Sequence, residues 1–208
     1  MSSDIYPPKV IRLAEKTLAT TFGNWREVLY TDGRGLVAAL AFGTWDPSTT
    51  VPCRIQSHCL SGFVFSSVEC DCRKQLEVAQ LYMQERGAGV VVWLDQDGRG
   101  HGHMAYMLAS ELASQAGVSQ SEAYERLGYS GDPRSYGIAA SVILDLGIGA
   151  VELLSNNPER AAALRRHGID VDTRRPLIID SSGNDFLSRS YRDKESQGHV
   201  IDLPQKER

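Results

Sequence analysis

The chain has 208 residues, a formal net charge of −4, 42% hydrophobic and 23% charged residues, and four cysteines. This balance excludes a wholly disordered chain, and the acidic net charge argues against a non-specific nucleic-acid binder. The longest apolar runs fall far short of the ~20 residues that a membrane span needs, and the first residues lack a basic-then-apolar leader, so the expectation is a cytoplasmic protein without a membrane anchor.

Residues 1–9 read as a polar, proline-containing lead. Two apolar runs follow, Glu27–Tyr30 and Gly35–Phe42, joined by Thr31-Asp32-Gly33-Arg34, in which Asp-Gly signals a hairpin. Val51–Ser57 and Phe63–Val68 read as two more strands. The pattern turns helical at Arg73, where Leu76, Ala79, Leu81, Tyr82 and Met83 recur at helical spacing before Gly87. Gly89–Leu94 is a β-branched run suited to a buried strand, and Met104–Ala116 predicts a helix. Ser119-Gln-Ser-Glu122 is a capping box opening a short helix. Asp132-Pro133 places a capping residue before a proline, predicting a helix to about Leu146. A strand at Ala150–Leu154, a helix from Asn157-Pro158 to Gly168, and short strands at Ile169–Val171 and Leu177–Ile179 complete the pattern. The expected class is α+β (mixed α/β): a mostly antiparallel N-terminal sheet, then β–α alternation. With no linker visible, a single domain over 1–208 is expected, ending in a mobile polar tail at about 188–208.

The chemistry concentrates in the cysteines. Cys53, Cys59, Cys70 and Cys72 lie within 20 residues of one another, and the last three follow C-x10-C-x-C. Zinc favours thiolate, and three protein ligands leave a fourth tetrahedral position for water. Cys53 lies six residues before Cys59; if the stretch is a strand, the two stand roughly 20 Å apart, and Cys53 does not share the ion. Two other readings stand beside this one: buried free thiols, and a closed structural zinc with His58 as fourth ligand.

Arg54-Ile-Gln-Ser-His-Cys59-Leu-Ser-Gly62, Cys70-Asp-Cys72-Arg-Lys-Gln75, Asp95-Gln-Asp-Gly-Arg99-Gly-His-Gly102, Leu127-Gly-Tyr-Ser-Gly-Asp132-Pro-Arg134 and Leu153-Leu-Ser-Asn-Asn-Pro158 together resemble the GTP cyclohydrolase II family of the riboflavin pathway. The likeness runs over roughly residues 10 to 180. It implies zinc on Cys59, Cys70 and Cys72, magnesium with the triphosphate, and hydrolytic opening of the GTP imidazole ring at C8 with pyrophosphate release. It also implies a homodimer. By the same resemblance Arg134 is the candidate nucleophile toward the α-phosphorus, with Asp132 as acid/base partner. A plain electrostatic clamp for Arg134 and a simple helix cap for Asp132 are equally good physical accounts. The substrate-binding candidates are Arg54, Gln56, Ser57, His58 and Gln75 around the cysteines, then Asp97, Gly98 and Arg99 on the loop after a buried strand. Ser155 and Arg160 join them at a strand-to-helix junction suited to anions.

Three departures bear on the outcome. Gln56 and His58 stand where the family has histidine and glutamate. Alignment puts Ser110, or Glu111, at the family's catalytic tyrosine, with Tyr106 one turn away. Histidines 101 and 103 enrich the glycine loop. The expectation is therefore a divergent paralogue whose reaction stops before formate release. Action on a different nucleotide and a catalytically impaired nucleotide-binding protein are the alternatives.

Overall fold

The computed structural model describes residues 7–130, 132–196 and 198–199. In chain order these form β1 (Ile11–Thr20), β2 (Gly23–Thr31), β3 (Leu36–Phe42), β4 (Thr50–Ser57), the single turn α1 (Leu60–Phe63), α2 (Cys72–Glu85) and β5 (Gly89–Leu94). They continue with α3 (His103–Ala116), α4 (Gln120–Arg126), α5 (Gly137–Asp145), β6 (Ala150–Leu154), α6 (Pro158–Arg166), β7 (Asp170–Arg175) and α7 (Asp185–Ser196). The class is mixed α/β, as the alternation of patterns implied. The residues group into two compact units. The first takes the described residues up to Gln56, with Leu76–Leu94 and Ser135–Leu177; the second takes Ser57–Gln75, Asp95–Arg134 and the described residues from Ile178 on. Each unit is assembled from three separate stretches, so no linker marks the division along the sequence.

The first unit is built on a seven-stranded sheet of order β1-β2-β3-β5-β4-β6-β7. Its first half is an antiparallel meander, and β3 pairs antiparallel with β5. The β2–β3 turn closes because Asp32 Oδ1 accepts from the backbone N–H groups of Arg34 and Gly35. On the other side β6 lies parallel to both β4 and β7, and α6 makes the crossover that parallel strands require. Period-two alternation sends Val28, Tyr30, Val37, Ala39, Val92 and Leu153 to one face, where Ala139, Val142 and Ile143 of α5 and Leu164 of α6 cover them. Trp25, Val91 and Leu154 face the other way, against Ala79 and Met83 of α2. The predicted caps form: Asn157 Oδ1 accepts from Glu159 N at 2.8 Å, and Ser119 Oγ from Glu122 N at 3.1 Å.

Several expectations give way. Resemblance points to a strand entry at Leu18–Gly23, but the full length of the edge strand β1 has no signal of its own, because it is largely exposed and lacks an alternating apolar face. Phe63–Val68 is no strand. Cys59 caps a helical turn there, and Arg73 donates to the Gly62 and Phe63 carbonyls that a ladder would use. The helix expected from Pro133 begins only at Gly137; Asp132 Oδ1 accepts from Arg134 N as a cap would, but it is shared with Arg134 Nε and no helical turn follows there. Leu177 has both backbone groups bonded by the Asn156 side chain and joins no sheet. The expected tail at 188–208 is corrected over 188–196, which belong to α7 with Tyr191 buried. Residues 200–208, like residues 1–6 of the expected lead, lie outside the described residues.

Candidate metal and nucleotide site

All three motif cysteines belong to the second unit. Cys59 leaves β4 in extended geometry and caps α1, while Cys72 opens α2. Their sulfur atoms lie within 4.8 Å of one another, and Cys59 Sγ stands 3.7 Å from Cys70 Sγ. Bonds of ~2.3 Å to a tetrahedral zinc give sulfur–sulfur edges of about 3.8 Å, so the spacing fits one ion. The backbone fits it too. Gly62 N donates to Cys59 Sγ, and a Cβ on Gly62 would stand 2.8 Å from Cys70 Sγ, so only glycine leaves the sulfurs their room.

Without a cation the three thiols compete for protons through their mutual hydrogen bonds. Cys70 is held well below the usual thiol range because Cys59 and Cys72 donate to it. Cys59 and Cys72 are pushed up in turn, first by their hydrogen bonds within the trio and then by burial. A divalent ion would relieve that competition and hold all three as thiolates. Cys53, buried in the core of the first unit, is raised to about 12 by desolvation and is no part of this cluster.

Asp71, between two of the cysteines, is only 3% exposed. Its carboxylate accepts from Tyr191 Oη at 2.6 Å and Gln75 Nε2 at 2.5 Å, and Lys194 Nζ lies 3.6 Å away. Burial would raise this carboxyl, but Lys194, Tyr191 and Gln75 outweigh it and hold it low. Gln75, a substrate-binding candidate, thus supports the cysteine turn. The α7 residues that join it carry no motif; in the sequence they read as a polar tail.

The loop after β5 brings the next candidates together. Gly98, Arg99, Gly100 and Gly102 all have positive φ, and for Arg99 (φ 58°, ψ 28°) this is a strained backbone. Asp97 Oδ1 accepts from Gly98 N at 2.8 Å; Oδ2 faces His103 Nδ1 at 2.9 Å and Leu60 N at 3.4 Å. His58 Nδ1 lies 2.9 Å from Asp95 Oδ1. A cavity of about 340 Å³ is lined by His58, Leu60, Asp95, Asp97 and His103. Because His58 and Leu60 flank Cys59, part of its wall is the cysteine loop itself.

Arg99 donates to Ser121 Oγ at 2.6 Å and lies over the Tyr124 ring. Its pKa is lowered, first by burial and then by the charge of Arg134. Each cation faces a carboxylate, Arg99 lying 3.9 Å from Asp193 Oδ2 and Arg134 pairing with Asp132. Arg134 Nε reaches Asp132 Oδ1 at 2.7 Å, with a second contact from Nη2 to Oδ2. Burial raises the Asp132 carboxyl, but the hydrogen bonds and charge of Arg134 bring it below its ordinary value. Arg134 therefore sits in a loop, not in the first turn of a helix. Tyr106 stacks with His103 at 5.7 Å between centroids and bonds Ser110; burial, and the nearby Cys70 and Cys59 charges, push it up to about 12. Glu111 accepts from Gln115 on the exposed face of α3, and His101 Nε2 is 2.9 Å from Ser130 O.

The remaining candidates, apart from Ser57, belong to the first unit, where they make internal bonds. Arg54 holds Gln56 Oε1 with Nε and Nη2 and the Leu154 carbonyl with Nη1. Arg160 donates to the Ile55 carbonyl at 2.9 Å and lies over Tyr136. Ser155 Oγ accepts from Asn157 N at 3.2 Å, tightening the turn into α6. Ser57, at the end of β4, is buried. Tyr124 places its buried hydroxyl 3.5 Å from where a Cβ on Gly98 would stand.

Fold and site define a mixed α/β protein organised around a three-cysteine cluster of metal-binding geometry. A profile of the family named GTP cyclohydrolase II matches residues 11–176, and the chain belongs to that family. It is 34% identical over 198 residues to riboflavin biosynthesis protein RibBA of Bacillus mycoides (93% of this chain, 49% of that protein). To the RibBA proteins of Bacillus velezensis and Synechocystis sp. it is 39% and 37% identical, over 83% and 86% of this chain and 44% and 33% of theirs. The chain thus spans about half the length or less of these relatives. Among solved structures, RibBX of A. baumannii, a two domain 3,4-dihydroxy-2-butanone 4-phosphate synthase, aligns with a TM-score of 0.44 and 18% identity, over 82% of this chain and 40% of that one. Helix α7, with its bonds to Asp71, lies beyond the residues that the family profile matches.

Proposed function

We propose that this protein is a zinc-dependent hydrolase that opens the imidazole ring of GTP at C8 and releases pyrophosphate. The observation that carries the reading is the cysteine trio, three sulfurs spaced for one tetrahedral ion beside a polar cavity. When bound, zinc supplies Lewis acidity and a water of lowered pKa. Cys59, Cys70 and Cys72 hold it, and Asp71, gripped by Tyr191 and Gln75, keeps the Cys70–Cys72 turn in place. Arg99 and Arg134 bind the phosphates, with magnesium on the triphosphate; Asp132 orients the Arg134 guanidinium and holds it toward the α-phosphorus. Gly98 lets the backbone approach the nucleotide closely. Arg54, Gln56, Ser57, Ser155 and Arg160 complete the substrate set by resemblance to the family. The assembly is a cytoplasmic homodimer by the same resemblance, which sedimentation of the purified protein tests.

One observation favours a second reading, a family hydrolase with another nucleotide as substrate. Resemblance assigns Asp97 to the guanine edge, yet its carboxylate already accepts from His103, Gly98 and Leu60. Mass spectrometry of products from GTP and a panel of purine nucleotides, with zinc and magnesium present, tests both. Ring-opened product from GTP supports the first. Product only from another nucleotide supports the second, and no product from any nucleotide refutes hydrolysis. Formate assayed in the same tubes reports whether the reaction stops at the formamide.

A further inference from the structure

We infer that His103, oriented by Asp97, is the proton-transfer residue of the cavity beside the cysteine trio, an inference that rests on the hydrolase reading above. The geometry begins with the helix. Gly102, at φ +87°, turns the chain into α3, and His103 is its first residue. One face of the ring is packed against Tyr106. Nδ1 meets Asp97 Oδ2, and an ionised carboxylate only accepts, so the proton sits on Nδ1 and Nε2 is left on the far side of the ring. Asp97 itself is fixed by Gly98 N and Leu60 N, and its side chain is 12% exposed against 27% for His103. A largely buried, triply bonded carboxylate is an orienting group, and the more exposed imidazole it orients lines the cavity beside it.

The other histidines fit this role less well. His58 adjoins Cys59, and its partner Asp95 has a side chain 77% exposed. His101 is directed to the Ser130 carbonyl. The titratable groups that face His103 are Asp97 on Nδ1, Tyr106 against the ring, and His58 and Asp95 in the cavity wall.

The step balances without a further reagent. A water oxygen bonds to the amidine carbon of the purine ring while Nε2 takes one water proton. The carbon–nitrogen bond then breaks, and Nε2 returns that proton to the departing ring nitrogen. The imidazole starts and finishes neutral; the second water proton passes from the hydroxyl to the other ring nitrogen, which keeps the carbon as a formyl group. Imidazole is suited to both halves because its ordinary titration lies between pH 5 and 8.

The test uses the full zinc-loaded chain with GTP and the nucleotide panel. For H103Q we expect kcat lower by about 10²- to 10⁴-fold with KM little changed, unaltered zinc content, and loss of one limb of the wild-type pH–rate profile. For D97N we expect a smaller fall of about 10- to 100-fold, again mainly in kcat. An H103Q enzyme with wild-type rate and pH limb overturns the proposal, as does a D97N variant whose defect lies in KM alone. If H103Q loses its zinc or its thermal transition, H103A with free imidazole decides: rescue supports the role, and no rescue overturns it. A wild-type protein that opens no nucleotide overturns the hydrolase reading and His103 with it, whereas wild-type turnover with an indifferent H103Q overturns His103 alone.

Discussion

Replacing Gly62 with alanine adds one methyl group at the point where the three thiols converge. The new Cβ would lie 2.8 Å from Cys70 Sγ, 3.3 Å from Cys59 Sγ and 3.4 Å from Cys72 Cβ. Comfortable heavy-atom contacts begin near ~3.5 Å, so the first overlap is about 0.7 Å. Gly62 is helical, so alanine adds no backbone strain, and its helix propensity favours folding. In the metal-free protein the sulfurs can part to admit the methyl group. With zinc bound, edges of about 3.8 Å forbid that. The overpacking cost of ~1–3 kcal/mol therefore falls on the metal-bound form. At ~1.4 kcal/mol per factor of ten, zinc should bind about 5- to 150-fold more weakly. Competition against a chromophoric chelator measures this, with thermal unfolding of the metal-free protein as control. Zinc affinity within about twofold of wild type, in a G62A protein that folds, would refute the shared-ion geometry.

Other outcomes follow from the same structure. Cys53→Ala should leave zinc stoichiometry unchanged, because Cys53 packs in the first unit's core, whereas Cys70→Ser should abolish tight binding; elemental analysis of the purified proteins distinguishes them. Arg134→Ala should slow pyrophosphate release by about 100-fold or more, read by a coupled phosphate assay, if the guanidinium stabilises charge on the phosphates. Leu154→Ala, in the core against α2, should cost about 2–5 kcal/mol in urea melts. Acid stability should depend on Asp145. Burial raises its carboxyl, but hydrogen bonds from Arg12 and Tyr30 more than reverse that and hold it below the ordinary range. A carboxyl lowered by folding contributes stability in full above its unfolded value, near ~4, and loses it as pH falls through the folded value. Asp145→Asn should therefore destabilise at neutral pH and flatten the loss of stability below about pH 4; an unchanged acid limb would count against this pair.

The sequence by itself determined the elements whose signals are local. Asn157-Pro158 and Ser119 through Glu122 cap helices as written, since a cap needs only its own next three residues. The buried strand Gly89–Leu94 and the Asp-Gly hairpin were legible for the same reason. So was the grouping of the three cysteines, because C-x10-C-x-C gathers them on one short stretch and the family resemblance of the motifs spans most of the chain. What the sequence did not show is what each polar side chain would choose among several partners. Asp132 had the form of a helix cap, yet Arg134 two residues on took its carboxylate and the helix started later. Asp97 looked like a reader of the base, but histidine 103, six residues on, holds it. The residues of α7 looked like a charged tail, because a helix that buries only Leu187 and Tyr191 and docks through Tyr191 and Lys194 onto Asp71 has few apolar residues among many charged ones. Local caps and turns depend on neighbours along the chain, while the partner of a buried charge is settled only when distant segments meet and water is gone.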